Sequence, residues 1–320
     1  MRVFITGGSG FIGTALTTEL INSGHQVLAL ARTDESAAKL RKLGAQIQMG
    51  SLEDLDSLRK GAAAADGVIH LGFVHGLSQV GLVKRLGIIF GGITRGIMLS
   101  FGETVVGVDI KAIEAIGSQL EGTNRPFVNV LGTMSLKHGK LGTEKDALDA
   151  SGLGGIRSKS ERAMFALVPK GVSAMCVCLP PTVHGDGDKA FVPHMIKAAE
   201  KHRASAYIND GQNRWPAVHL LDAVRLIRLV LENGKSTTRY HGVAEEGIPL
   251  KNIADVIGRK LNLPVVSKSS KEAEKHFGFL TAFFSADNLA SSQWTQEQLS
   301  WKPIQPGLIA DLEKGTYFKT

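Results

Sequence analysis

A chain of 320 residues with 43% hydrophobic and 21% charged residues has material for a large core, which excludes a disordered or fibrous protein. Its 37 basic and 30 acidic residues give a net charge of +7, spread thinly and without a basic run interleaved with aromatics. That excludes a nucleic-acid footprint and leaves only a mild attraction for a phosphorylated ligand, while no apolar run reaches the length of a membrane span.

In chain order, Val3-Phe4-Ile5 predicts a short buried strand, and Thr14 to Ile21 carries apolar residues at helical spacing until Asn22-Ser23-Gly24 stops them. The apolar start is short and ends in glycines, so no leader peptide is expected. Between strand and helix stands Thr6-Gly7-Gly8-Ser9-Gly10-Phe11-Ile12-Gly13. Glycines where a buried strand turns into a helix form the context of a dinucleotide-binding loop. Gly7 or Gly8 permits the tight turn, Gly10 lets backbone approach a pyrophosphate, and Gly13 lets the helix pack closely. The N–H groups at the helix start, where Phe11 and Ile12 lie, would face the phosphates.

Gln26 to Ala31 reads as a second buried strand. At its end, where an acidic residue would bind ribose hydroxyls, stand Ala31 and then Arg32, which suits a 2′-phosphate. NADP(H) is therefore the preferred cofactor and NAD(H) the alternative; a plain solvated cation is the other reading of Arg32. A helix (Glu35 to Leu43), a strand (Gln46 to Met49), a helix (Leu52 to Lys60) and a strand with its approach (Ala65 to Gly72) follow. This alternation demands an α/β fold, a Rossmann-type doubly wound parallel sheet with ligands at the carboxyl ends of its strands. His70 lies on an apolar strand and reads as a core histidine, whereas Leu71 and Gly72 end the strand where the middle of the cofactor would pass.

Residues Val74 to Phe101 are apolar but interrupted by repeated glycines, with only Lys84, Arg85 and Arg95 charged, too broken for one long helix and too apolar for a solvated loop. A lid over substrate, a homodimer contact and a lipid-touching surface compete here, with the lid favoured. A helix (Thr104 to Leu120) and a fifth strand (Arg125 to Leu131) lead to Gly132-Thr133-Met134-Ser135. A helix from Lys159 to Leu167 leads to a sixth strand, Ser173 to Leu179, whose Cys176 and Cys178 would point to opposite faces. Neither a disulfide nor a metal pair fits that, no zinc spacing occurs, and a reducing, cytoplasmic location is expected.

Several segments together resemble the extended short-chain dehydrogenases/reductases of the NAD(P)-dependent epimerase/dehydratase group. They are Thr6 to Gly13, Asp66-Gly67-Val68-Ile69-His70-Leu71, Arg157-Ser158-Lys159, Leu179-Pro180-Pro181-Thr182-Val183-His184-Gly185, Val218-His219-Leu220-Leu221-Asp222-Ala223 and Leu299-Ser300-Trp301-Lys302-Pro303. The resemblance implies hydride transfer at the nicotinamide C4, with a Ser/Thr, a Tyr acid and a Lys that holds the nicotinamide ribose. Lys159 falls on the lysine, Thr133 on or next to the hydroxyl, and Gly155 on the tyrosine. His184 and His138, Lys159 through a ribose hydroxyl, or water are the replacements for that acid; an imidazole suits proton transfer near neutrality. Pro181 and Val183 would lie along the nicotinamide.

The resemblance also implies a Rossmann domain over 1–180, with 215–231 returning to it, and a smaller C-terminal α+β substrate lobe over 181–320. Arg214 and Trp215 are its substrate-side candidates, Arg214 for a carboxylate or phosphate or else paired with a surface carboxylate. Asp186 and Asp188 read as turn formers, not metal ligands. The expected activity is NADP(H)-dependent reduction of a small aldehyde or ketone. An epimerase/dehydratase-like enzyme and a non-catalytic NADP(H)-binding regulator are the alternatives.

Overall fold

A computed structural model describes residues 1–74 and 97–318. Seven strands form the main sheet: β1 (Arg2–Thr6), β2 (Gln26–Ala31), β3 (Gln46–Met49), β4 (Gly67–His70), β5 (Pro126–Gly132), β6 (Ser173–Leu179) and β7 (Thr238–His241). Their spatial order is β3-β2-β1-β4-β5-β6-β7, and β1 pairs in parallel with both β2 and β4. The chain direction of the winding reverses between β1 and β4, the place where a doubly wound sheet opens a crevice at its strand ends.

Because helices cover both faces, the central strand β1 carries no polar alternation: Val3, Phe4 and Ile5 are all 0% exposed. Helices α1 (Phe11–Asn22), α2 (Asp34–Lys42), α3 (Leu55–Ala63), α4 (Ile97–Gly117) and α5 (Ser158–Phe165) accompany the sheet. α3 starts three residues later than apolar spacing predicts, since the Asp54 side chain accepts from the Ser57 N–H and caps the helix there. α4 starts seven residues before Thr104, so the end of the apolar segment is helical. The remainder of that segment, with the lid, dimer and lipid readings attached to it, lies outside the described residues.

The chain forms two compact units. The first is Met1–Leu131, Ile156–Val177 and Ile227–Thr238; the second is Gly132–Gly155, Cys178–Leu226 and Arg239–Thr320. Within the first, Arg228 joins Glu19 and Glu232, and His25 joins Glu232, tying the helix Leu220–Asn233 to α1.

The second unit holds a three-stranded sheet, with Arg214–His219 between Thr182–His184 and Glu245–Pro249, and a parallel pair, Ser205–Ile208 with Val265–Lys268. The strand expected within 215–231 thus belongs to this small sheet, and residues 227–238 belong to the first unit. Trp215, stacked on Phe284 at 5.3 Å and edge-on to Phe191, centres an apolar core with Ile253, Ile257 and Met195. Asp222 and Trp301 lock two distant segments together. The Trp301 indole donates to the Asp222 carbonyl, and the Asp222 carboxylate accepts from the Ile304 and Gln305 N–H groups.

His276 is buried beside His202, ring centroids 4.6 Å apart, with its Nε2 unpartnered among the described residues. Burial first, then the His202 ring, push its pKa down from 6.5 to about 4. The unfolded chain therefore takes up this proton before the folded one, and stability present above pH 6.5 is lost as pH falls toward 4. The loss is at most about 3 kcal/mol. Thermal unfolding between pH 7 and 4.5 should show a steeper drop for the wild type than for His276→Leu, and equal slopes would refute this account.

Candidate functional site

The glycine loop is built by close backbone approach. Gly7 takes φ +73°, and a Cβ there would stand 2.8 Å from the Gly72 nitrogen at the end of β4. A Cβ on Gly13 would stand 2.1 Å from the Gly7 carbonyl oxygen, so α1 begins directly against the loop. The Gly10 N–H donates to that same carbonyl at 3.1 Å. No side chain caps α1 at Gly10, and its first turn carries no acidic residue. The N–H groups of Phe11, Ile12 and Gly13 are left for an anion, with the helix dipole behind them. A pyrophosphate fits this cradle by charge and by the space that only glycine leaves.

Arg32 is exposed directly after β2, and Thr33 starts α2 with a reciprocal cap to Ser36. α2 then brings in a cation that the sequence reading did not single out: Lys39 Nζ donates to the Ser9 carbonyl of the loop at 2.9 Å. The same β-α unit thus carries Arg32 directly after its strand and Lys39 bonded to the loop.

At the end of β4, Leu71 is half-buried and Gly72 buried. The Gly72 N–H donates to Thr6 Oγ1 at 3.0 Å, and Thr6 Oγ1 is 2.7 Å from His70 Nδ1. His70 Nε2 is 3.1 Å from Asp109, so both ring nitrogens have partners in the core. On α5, Lys159 is exposed, whereas its neighbours Ser158 and Ser160 are buried. Arg157 donates to the Val130 carbonyl at 2.9 Å and lies 3.7 Å from the Phe73 ring centroid.

The other candidates lie in the second unit. Thr133 is 0% exposed; its hydroxyl donates to Asn288 Oδ1 at 2.8 Å, and Asn288 Nδ2 donates back to the Thr133 carbonyl at 3.0 Å. The carbonyl can only accept, so the amide orientation is fixed and the hydroxyl hydrogen is committed to Asn288. Asn288 lies 155 residues away, and no motif in the sequence announces it.

Gly155 is closed in by its own loop, where a Cβ would stand 2.0 Å from the Asp149 carbonyl oxygen. Ser135 holds that loop, donating from Oγ to the Gly154 carbonyl and accepting the Asp149 N–H. His138, by contrast, donates its Nε2 hydrogen to the Met134 carbonyl at 3.2 Å.

His184 is 0% exposed, and its Nδ1 meets Asp311 at 2.8 Å. The carboxylate takes the Nδ1 hydrogen, leaving the lone pair on Nε2, which has no partner among the described residues. Burial pushes its pKa down, against the pull of Asp311, so the ring is neutral at pH 7. Pro181 and Val183 precede it, half-buried and buried.

Both substrate-side candidates have partners within the second unit, Arg214 in the carboxylate pairing that is its alternative reading. Trp215 is 0% exposed, with its indole N–H donating to the Ala286 carbonyl, and it packs in the core of the second unit. Arg214 is paired: Nε and one terminal nitrogen grip the two Asp287 oxygens at 3.1 and 2.9 Å. Asp188 and Asp186 accept from Tyr317 and Thr316. No cluster of three or more His, Cys, Asp or Glu suited to a metal occurs among the described residues, and no described helix is long and apolar enough to cross a membrane.

Comparison with known proteins agrees with this architecture. An uncharacterized protein of Schizosaccharomyces pombe is 44% identical over 319 residues, spanning 99% of this chain and 100% of that one. A 4-hydroxy-2-methyl-3-oxo-4-farnesyl-3,4-dihydroquinoline-1-oxide ketoreductase of Stigmatella aurantiaca is 25% identical over 293 residues, 87% of this chain and 80% of that one. The fold is that of a dTDP-glucose 4,6-dehydratase from Streptomyces venezuelae solved with NAD, at a TM-score of 0.71 and 16% identity over 98% of this chain and 96% of that one. The sequence profile of the NAD dependent epimerase/dehydratase family matches residues 3–82 and 159–242. The chain belongs to the NAD dependent epimerase/dehydratase family.

Proposed function

We propose that the protein is an NADP(H)-dependent oxidoreductase that interconverts a small carbonyl compound and its alcohol, working in the cytoplasm. The observation that carries the cofactor reading is the uncapped first turn of α1 behind Gly7 and Gly13, with Lys39 bonded to the loop. The relationship to a ketoreductase supports the carbonyl. The first unit serves as the cofactor domain and the second as the substrate lobe.

When bound, the nicotinamide supplies the hydride. Gly7, Gly10, Phe11, Ile12 and Gly13 hold the pyrophosphate; Arg32 and Lys39 neutralise the 2′-phosphate; Leu71 and Gly72 line the middle of the cofactor. Lys159 holds the nicotinamide ribose, and Pro181 and Val183 border the ring. Thr133 reaches a carbonyl oxygen only by giving up its bond to Asn288. His184, neutral and with its lone pair on Nε2, accepts the proton in the direction of alcohol oxidation, and its protonated ring returns that proton in reduction.

A non-catalytic NADP(H)-binding protein is the second reading. It is favoured by Gly155, where the closely packed loop leaves no room for a side chain. Single-turnover oxidation of NADPH with a panel of aldehydes and ketones separates the two, since tight NADPH binding without turnover would leave only the second. Under the first, Lys159→Ala and Thr133→Val each lower turnover by about tenfold or more. Full activity in both variants would remove these assignments.

A further inference from the structure

A buried polar chain runs through the first unit, using groups to which the reaction above gives no part. Thr6 ends β1 and His70 ends β4; Asp109 lies in the middle of α4, and Ser160 in the first turn of α5. None is more than 2% exposed. His70 Nε2 meets one Asp109 oxygen at 3.1 Å, and Ser160 Oγ donates to the other at 2.5 Å.

The direction of every hydrogen in this chain follows from its ends. Asp109 is held ionised: burial opposes its charge, but the His70 hydrogen bond, the positive Arg157 nearby and the Ser160 hydroxyl together pull its pKa below the usual carboxylate value. An ionised carboxylate only accepts, so His70 must carry its hydrogen on Nε2. The Gly72 N–H can only donate to Thr6 Oγ1, which leaves the Thr6 hydroxyl hydrogen for His70 Nδ1. Gly72 is also the residue against which Gly7 makes its close turn. One carboxylate therefore sets the hydrogen-bond polarity from the entry of the glycine loop to the helix that carries Lys159.

We infer that Asp109 is a positioning residue for the cofactor site, fixing α5 through Ser160 and the glycine-loop entry through His70 and Thr6. Ser160 is the residue after Lys159, so its bond sets the rotation of α5 that leaves Lys159 exposed while Ser158 and Ser160 turn inward. A carboxylate suits this place because it accepts from both sides, and a charge-assisted bond is about twice as strong as a neutral one. An amide at 109 cannot satisfy both donors. It must present its NH₂ group to one of them, so that either the Ser160 hydroxyl hydrogen turns to another acceptor or the His70 hydrogen moves to Nδ1.

The inference rests on the assignment of Lys159 to the cofactor, and the test keeps the two apart. NADP⁺ affinity is measured by calorimetry, without turnover, for Lys159→Ala, Ser160→Ala and Asp109→Asn, with histidine-labelled protein giving the His70 tautomer from its ring ¹⁵N shifts. Ser160→Ala removes one neutral donor and leaves the Asp109–His70 contact, so it reports even if Asp109→Asn folds poorly. The expected results are a loss of about tenfold in NADP⁺ affinity for Ser160→Ala, the equivalent of about 1.4 kcal/mol. Asp109→Asn should lose at least as much and shift the His70 hydrogen from Nε2 to Nδ1 if Ser160 keeps its bond. If Lys159→Ala binds NADP⁺ like the wild type, the cofactor assignment fails. If Lys159→Ala binds weakly but Ser160→Ala and Asp109→Asn bind within about twofold of wild type, whatever their melting temperatures, the positioning role is overturned.

Discussion

Replacing Arg32 and Lys39 together by alanine is expected to weaken NADPH binding by about a hundredfold while changing NADH binding by no more than about threefold. The two cofactors differ only in the 2′-phosphate, so the ratio isolates contacts to that group. Each basic side chain contributes a charge-assisted contact of about 1.5 kcal/mol, close to a factor of ten. Arg32 follows β2, and Lys39 sits on α2 with its ammonium 2.9 Å from the Ser9 carbonyl. The Lys39 contact to backbone also steadies the loop, so Lys39→Ala alone should cost NADH slightly more than Arg32→Ala alone. Equilibrium titration by nicotinamide fluorescence measures all three variants. Equal losses for both cofactors would mean that these cations shape the loop and do not read the phosphate.

The contrast between Arg32 and Lys39 shows what the sequence could carry. Arg32 is legible because it follows a strand whose end lies beside the ribose in any doubly wound fold. Lys39 is not, because its reach to Ser9 depends on how α2 lies against the loop. The glycine loop was legible for the same reason as Arg32, since strand, turn and helix are local. Trp215 and Thr133 show the opposite case. Their motifs place them in the chain, but the Ala286 carbonyl that takes the Trp215 hydrogen and the Asn288 that takes the Thr133 hydrogen lie 71 and 155 residues away. Asp109 is hidden for a further reason, as a single acid within an apolar helix looks like a solvated position until His70 and Ser160 are seen on it.

Gly155→Ala is expected to destabilise the protein by about 1–3 kcal/mol, whereas Gly107→Ala, inside α4, should be neutral or stabilising by up to about 1 kcal/mol. At Gly107 a Cβ meets nothing within 4 Å among the described residues. At Gly155 it would stand 2.0 Å from the Asp149 carbonyl oxygen and 2.8 Å from the Ala150 carbonyl carbon, and both are backbone. The loop cannot simply retreat, because the Asp149 N–H is bound to the Ser135 carbonyl and Ser135 Oγ to the Gly154 carbonyl. Gly154 itself, at φ +81°, lies against the Met134 backbone, where a Cβ would stand 3.1 Å away. Melting temperatures of the two alanine variants, measured side by side, test the steric account, and equal values would refute it. The same geometry bears on the chemistry. If Gly155 were merely a lost tyrosine, Gly155→Tyr would restore an acid four residues before Lys159 and raise turnover. With the loop packed as it is, Gly155→Tyr should instead lower both stability and turnover. A Gly155→Tyr variant that melts like the wild type and turns over faster would show that the loop yields and that a tyrosine at this position serves as an acid.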